Sequence, residues 1–148
     1  MQSKGSESPP LCSLLEALPR ADVVILAIAL TAGTRKLFGR AELAAMQSSA
    51  WLVNIARGAV VDQSALIDAL HDRRIAGAAL DVFEDEPLAL DSPLRALDNA
   101  IITPHVAGFG SRATQLRLAA MVSDNIARFA AGEALSGVIA PEALRQTR

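Results

Sequence analysis

The sequence has little cysteine and histidine and no long apolar run, and each shortage excludes a class of protein. Its single cysteine, Cys12, excludes an internal disulfide and fits a reducing compartment. Two histidines beside one cysteine are too few for a dedicated metal site, so no metal is expected. The longest apolar run, residues 23–30, is far shorter than the roughly 20 residues that cross a bilayer. We therefore expect a cytoplasmic protein that does not insert into membranes.

The charge balance is nearly even and does not indicate a polyanionic partner. There are 14 Lys and Arg against 16 Asp and Glu, a net charge of −2. This gives no electrostatic reason to expect nucleic acid or an anionic membrane as a partner. Hydrophobic residues make up 51% of the 148 residues and charged residues 20%, as in soluble globular proteins. The length suits one domain with a real core.

Four short apolar runs predict the strands of an α/β fold. Each is apolar almost throughout, which is typical of strands covered on both faces. Helical patterns separate the first three runs, over residues 42–47 and 62–74, the second with Asp62 as its N-cap. This order indicates a parallel sheet of about four strands with helices on both faces, an α/β fold. The runs are residues 22–29, 50–56, 75–82 and 100–103.

The two ends of the chain have simpler patterns. Residues 1–10 are polar and end in two prolines, which predicts a flexible leader. Residues 11–18 carry leucines at helical spacing and predict a short helix. Residues 111–131 predict a long helix that ends at Gly132. Its apolar residues at helical spacing predict core packing, and a contact with another subunit is a further interpretation that stays open.

Chemically active side chains follow the apolar runs. Arg57 follows the second run, an acidic cluster that ends in Glu86 follows the third, and His105 follows the fourth. Ligands of parallel sheets bind outside the carboxyl ends of the strands, so we expect these side chains to gather along one edge. A guanidinium binds a carboxylate through two parallel hydrogen bonds, and a histidine exchanges protons near neutral pH. The set suits a carboxylic acid whose neighbouring carbon changes between alcohol and ketone.

Three stretches carry a family resemblance: VNIARGAVVDQSALIDAL, IAGAALDVFEDEPL and ITPHVAG. Their order and separations make the chain resemble the D-isomer-specific 2-hydroxyacid dehydrogenases from about residue 11 to its end. The resemblance implies an NAD(P)-dependent oxidoreductase that interconverts a small D-2-hydroxy acid and its 2-keto acid by hydride transfer. In that family's terms, Arg57 binds the substrate carboxylate, His105 is the acid/base, and Glu86 is the partner of His105.

The same resemblance implies a set of cofactor contacts, with NAD or NADP as the cofactor. Asp81 is expected to hold the nicotinamide carboxamide, and the others to line the cofactor by backbone and apolar contact. The full set is Ile28, Ile55, Ala56, Arg57, Asp81, His105, Ala107 and Gly108.

The sequence departs from the family in one large respect. The G-x-G-x-x-G turn that holds the cofactor pyrophosphate is not found, nor is the acidic residue that binds the adenine ribose. The resemblance therefore implies that residues 11–132 are the C-terminal half of an NAD(P)-binding Rossmann-like domain. Residues 133–148 are then a tail that returns to a missing substrate domain. Such a piece leaves a sheet edge and an apolar helix face bare. We therefore expect weak or no turnover from the isolated chain, and a homodimer or a complementing chain.

Other interpretations stay open. A non-catalytic NAD-fold binding or interaction module predicts a stable partner and no cofactor-dependent chemistry, and a truncated pseudoenzyme predicts no function. Formate dehydrogenases resemble the chain less, because they carry glutamine at the position of Glu86. For Glu84 and Asp85 we favour a solvated acidic loop, and for His71 a surface position on a helix.

Overall fold

The computed structural model describes residues 12–108 and 111–139, and its central element is a four-stranded parallel sheet. The strands lie side by side in chain order, and the register places the last residue of each strand beside the last residue of the next. All four therefore end at one edge of the sheet, the carboxyl edge. The four apolar runs are confirmed as strands, each shorter than its run: β1 (Val23–Leu26), β2 (Trp51–Asn54), β3 (Gly77–Leu80) and β4 (Ala100–Ile102).

Three helices precede or connect these strands: α1 (Leu14–Ala17), α2 (Arg40–Ala45) and α3 (Gln63–His71). Asp62 caps α3 as expected, since its side chain accepts from the backbone N–H of Ala65. Helix α2 begins two residues earlier than its pattern predicts. The helix predicted over residues 11–18 is shorter, because Ser13 caps it and a 3-10 turn begins at Leu18. Helix α2 packs against both α1 and α3.

The apolar core lies between the helices and one face of the sheet. Leu52 of β2, Ala78 of β3, and Leu66 and Leu70 of α3 are fully buried in a single cluster. Burial stabilises each such leucine by about 1.5–3 kcal/mol relative to exposure. This packing holds the strands, and so the loops at the carboxyl edge, on a rigid support.

The opposite face of the sheet is open. Val23 and Ile25 of β1 and Ile101 of β4 are each more than half exposed. Successive strand residues point to opposite faces, so these side chains lie away from the core cluster. The parallel α/β fold is confirmed. The expectation of strands covered on both faces is wrong for β1 and β4, because α1, α2 and α3 all pack on the other face.

A long helix, α4 (Arg112–Ala131), follows the sheet. Its N-cap is Ser111, the first residue of the predicted range, and it ends at Gly132, whose φ of +69° suits glycine. None of its residues is buried, and Leu116 and Ile126 are 60% and 65% exposed. The expectation of core packing is therefore wrong, because no described element covers the apolar side of this helix.

The two ends predicted from the sequence are described only in part. The leader, residues 1–10, lies outside the described residues, and so do residues 140–148 of the tail. The described part of the tail, residues 133–139, is exposed and contains no helix or strand. Within the described ranges, none of the helices has the length and apolar character needed to cross a membrane.

Candidate active site

The loops at the carboxyl edge bring Arg57, Glu86 and His105 together. They follow β2, β3 and β4 respectively, and all three line one cleft of about 290 Å³. The residues are distant in sequence, but neighbouring parallel strands that end in register place their loops side by side. The cleft therefore holds a cation, a carboxylate and an imidazole on one rigid support.

Glu86 and His105 form the central contact of this cleft. The imidazole Nδ1 of His105 lies 2.7 Å from Oε2 of Glu86. The other carboxylate oxygen of Glu86 accepts from the backbone N–H of Phe83 at 3.0 Å. The hydrogen bond with His105 lowers the pKa of Glu86, and the Phe83 N–H and the charge of Arg57 act in the same direction. Glu86 is thus a carboxylate at neutral pH and leaves Nε2 of His105 to face a ligand.

Asp81 holds the loop that carries His105. Burial by itself raises the pKa of Asp81, but hydrogen bonds from the Thr103 hydroxyl and the Ala107 and Val106 N–H groups outweigh it and lower the pKa. The two backbone bonds are both 2.9 Å long. His105 has a φ of +55°, a left-handed conformation that costs a non-glycine residue about 1–2 kcal/mol. The bonds to Asp81 on either side of His105 offset this strain and fix the loop.

Arg57 is exposed at the mouth of the cleft. One terminal nitrogen, Nη1, donates to the carbonyl of Ala56 at 2.7 Å. Among the described residues, no carboxylate lies within ion-pair distance of this guanidinium. A guanidinium carries five N–H donors, so several remain for an anionic ligand.

A larger cleft, of about 520 Å³, meets the first at Glu86 and His105. Its walls are mostly apolar, and Arg95 lies at its side. Arg95 donates to the carbonyls of Leu88 and Ala89, both at 2.9 Å, and so holds the loop after Glu86. Arg95 belongs to a short 3-10 turn outside the three motif stretches, so no sequence pattern marked it.

The residues expected to contact a cofactor lie around the same edge. Ile28 and Ile55 are 41% and 49% exposed beyond the ends of β1 and β2, which suits the flat apolar face of a nicotinamide. Oδ2 of Asp81 accepts one bond, from Ala107, so it has a further lone pair for a carboxamide N–H. Gly108 is exposed, with open space where a side chain would stand. These features fit the nicotinamide end of the cofactor.

Ala56 fits the cofactor less well than its neighbours. Its side chain is buried, its N–H donates to the Asn54 side chain, and its carbonyl accepts from Arg57. Both of its polar backbone groups are thus already engaged. The structure places Ala56 beneath the site more than on its surface.

Comparison with known proteins bears on this geometry. The sequence model of the D-isomer specific 2-hydroxyacid dehydrogenase, NAD binding domain, matches residues 2–107. This match spans more than half of the chain and contains every expected site residue except Gly108. The chain belongs to the D-isomer-specific 2-hydroxyacid dehydrogenase family.

Individual members of this dehydrogenase family give the scale of the likeness. The chain is 42% identical over 133 residues to a glyoxylate reductase of Aeropyrum pernix. This match covers 90% of the chain and 39% of that protein. The chain is also 42% identical over 133 residues to a glyoxylate/hydroxypyruvate reductase B of Yersinia pestis, which covers 90% of the chain and 40% of that protein. The chain therefore spans about two fifths of the length of these curated relatives.

A solved structure extends the likeness to the fold. The D-isomer specific 2-hydroxyacid dehydrogenase of Xanthobacter autotrophicus Py2, in complex with NADPH and MES, matches with a TM-score of 0.71 and 42% identity. The match covers 86% of this chain and 53% of that one. The NAD-binding description of the family and the NADPH in this neighbour agree with NAD or NADP as the expected cofactor.

Proposed function

We propose that this chain carries the acid/base and carboxylate-binding residues for NAD(P)-dependent reduction of a small 2-keto acid to its 2-hydroxy acid, as the D-isomer where that carbon is chiral. Glyoxylate and hydroxypyruvate are the candidate substrates. The observation that carries the proposal is the 2.7 Å contact between His105 and Glu86 in a cleft that Arg57 shares. The two substrates are those in the names of the relatives from Aeropyrum and Yersinia. The chain spans about two fifths of the length of these relatives, so turnover by this chain alone is part of the proposal.

Each side chain has one chemical task in the proposed reaction. Arg57 binds the substrate carboxylate through two parallel N–H bonds, which orients the neighbouring keto group toward His105. His105 donates the Nε2 proton to the keto oxygen as the carbonyl electron pair moves onto that oxygen. Glu86 holds Nδ1, so the imidazole keeps its orientation and its charge is compensated as the proton leaves and returns. A bound NADH or NADPH supplies the hydride that the keto carbon gains.

The surroundings of the cofactor follow from the same geometry. Ile28 and Ile55 would pack against the nicotinamide ring, Asp81 would accept from its carboxamide, and the loop at His105, Ala107 and Gly108 would lie beside it. The cleft is open to solvent: the side chain of His105 is 43% exposed. Since water at the reacting carbon weakens electrostatic stabilisation, we propose slow turnover unless a second copy or another chain closes the cleft.

The test is a titration followed by an assay. The purified chain is titrated with NADH and with NADPH by calorimetry, and glyoxylate or hydroxypyruvate reduction is then followed through consumption of the reduced cofactor. Replacing a general acid typically lowers the rate by 10²–10⁴-fold, so we expect His105→Gln to lose turnover by roughly that factor. Arg57→Lys keeps the charge but not the paired geometry, so we expect a higher KM.

The chain offers a matched control for the histidine. His71 on α3 also places Nδ1 against a carboxylate, 3.1 Å from Asp72, but its side chain is 78% exposed and does not line the cleft that holds Arg57. His71→Gln should leave cofactor binding and turnover unchanged. Cofactor binding without any reduction would overturn the proposed chemistry in favour of a non-catalytic binding module. Equal activity of the His105 and His71 variants would overturn the acid/base role of His105.

A further inference from the structure

Asn54, the last residue of β2, has a side chain that serves the Arg57 loop alone. It is 1% exposed, and its carboxamide uses both ends on that loop. Oδ1 accepts from the backbone N–H of Ala56 at 3.1 Å, and Nδ2 donates to the backbone carbonyl of Arg57, also at 3.1 Å. A buried amide with both ends satisfied by one short loop fixes the path of that loop.

We propose that Asn54 is a positioning residue that sets the Arg57 guanidinium for binding the substrate carboxylate. The inference rests on the proposed function of Arg57. It adds a residue to which neither the three motifs nor the chemistry of the cleft assigned a role, since Asn54 cannot touch the substrate from its buried position.

A continuous set of contacts runs from Asn54 to the guanidinium. Asn54 fixes the N–H of Ala56, and the carbonyl of Ala56 in turn accepts from Nη1 of Arg57 at 2.7 Å. The same amide holds the carbonyl of Arg57 itself. Asn54 therefore holds the Ala56 N–H and the Arg57 carbonyl, which lie on either side of the peptide bond whose carbonyl oxygen orients the guanidinium.

The loop is also held against the rest of the site. A Cβ on Gly58 would lie 1.8 Å from the backbone of Phe83, so the Arg57 loop packs directly on the loop that leads to Glu86. The backbone carbonyl of Asn54 accepts from the N–H of Asp81, so the end of β2 is bonded to the residue whose side chain holds the His105 loop. With its neighbours fixed in this way, a shift of the Arg57 loop would change the spacing of Arg57 from the Glu86–His105 pair.

If Asn54 only stabilised the fold, its loss would lower stability without a specific effect on binding. A second buried asparagine, Asn99, serves as the control that separates these two roles. Asn99 is 6% exposed and donates from Nδ2 to the carbonyl of Leu70 at 3.1 Å. It precedes β4, at the opposite edge of the sheet from the cleft. Asn54→Ala and Asn99→Ala thus both remove a buried amide that holds a backbone carbonyl, but only the first touches the site.

The experiment uses the full chain, labelled with ¹⁵N, titrated with hydroxypyruvate without reduced cofactor and followed by NMR. We expect Asn54→Ala to weaken hydroxypyruvate binding about tenfold, the effect of losing one charge-assisted hydrogen bond. Asn99→Ala should bind within about twofold of the parent chain, although urea unfolding shows both variants to be destabilised. The Nε–Hε signal of Arg57, assigned with Arg57→Lys, should shift in the Asn54 variant alone, even before substrate is added.

The outcomes separate this inference from the proposed function. If Arg57→Lys weakens binding while the two asparagine variants bind alike and leave the Arg57 signal in place, the positioning role is overturned and the proposed function stands. If the parent chain does not bind hydroxypyruvate, or Arg57→Lys binds as well as the parent, the proposed function fails and the inference fails with it. Should Asn54→Ala not fold, Asn54→Ser replaces it, with the same expected shift of the Arg57 signal.

Discussion

The two edges of the sheet use buried polar groups in different ways. At the carboxyl edge, Asn54 and Asp81 direct their hydrogen bonds at loops that expose Arg57 and His105. At the opposite edge, the amino edge, where the strands begin, Asn99 bonds to the end of α3 and supports only packing. A buried polar side chain is costly unless it is hydrogen-bonded. Asn54 uses both ends of its amide, whereas Oδ1 of Asn99 has no partner among the described residues. The difference lies in what is held: a site at one edge, and the sheet itself at the other.

The largest expected effect comes from the two closely packed glycines, one at each edge. Gly58→Ala would place a Cβ 1.8 Å from the Phe83 backbone, which cannot move without displacing the loop to Glu86. Gly77→Ala would place one 2.6 Å from the Trp51 ring and 2.7 Å from the backbone carbonyl oxygen of Asn99, a less severe overlap than at Gly58. We expect losses in the free energy of unfolding of about 3 kcal/mol or more for the first and about 2 kcal/mol for the second, by urea unfolding.

The same two glycine variants also test whether the binding site lies at one edge of the sheet only. Hydroxypyruvate binding should be lost in Gly58→Ala, because the displaced loop carries Arg57, and kept in Gly77→Ala at a urea concentration where both are folded. Binding that is retained by the first variant, or lost equally by both, would contradict the separation of site and scaffold between the two edges.

A smaller effect is expected from the aspartates. Asp81→Asn removes a charged acceptor of three hydrogen bonds, and bonds to charged groups are worth about 1.5–3 kcal/mol. We expect faster amide hydrogen exchange at Val106 and Ala107, while exchange at Leu66 in the core changes less. Asp98→Asn at the amino edge is the control, since Asp98 is 77% exposed in an ion pair with Arg73 and such pairs contribute about 0–1 kcal/mol. Similar exchange at Val106 in both variants would show that Asp81 does not hold the loop.

The smallest expected effect is a pH dependence that Glu86 confers. The hydrogen bond with His105 lowers the pKa of Glu86 in the folded chain from its ordinary value of 4.5. A carboxyl with a lowered folded pKa contributes stability above its ordinary pKa and loses it as the pH falls through the folded value. We expect the difference in unfolding free energy between the parent and Glu86→Gln to shrink as the pH falls below about 4.5. Urea unfolding across this range measures it, and a difference that grows on acidification would contradict the pairing with His105.

Much of this organisation can be predicted from the sequence, and the reasons are local. The apolar runs marked all four strands, and Asp62, Ser111 and Gly132 marked helix ends, because caps depend on hydrogen bonds within a few residues. Whether α4 is buried or exposed could not be predicted. Apolar spacing shows which side of a helix can pack against another element, but not whether such an element is present. For the same reason the open face at Ile25 and Ile101 was missed.

The sequence by itself determined which elements form, which family the chain belongs to and which side chains can bind an anion or move a proton, since these depend on residue type and order. The tertiary structure decided how those side chains are held: that Asp81 bonds to the loop of His105, that Asn54 holds the loop of Arg57, and that Glu86 meets Nδ1 at 2.7 Å. The contacts of Asp81 and Glu86 join residues that are 26 and 19 positions apart in the sequence, and the contact of Asn54 turns its side chain back on the loop that follows it. Only the parallel register, the packing beneath it and the resulting backbone path bring those atoms within hydrogen-bonding distance.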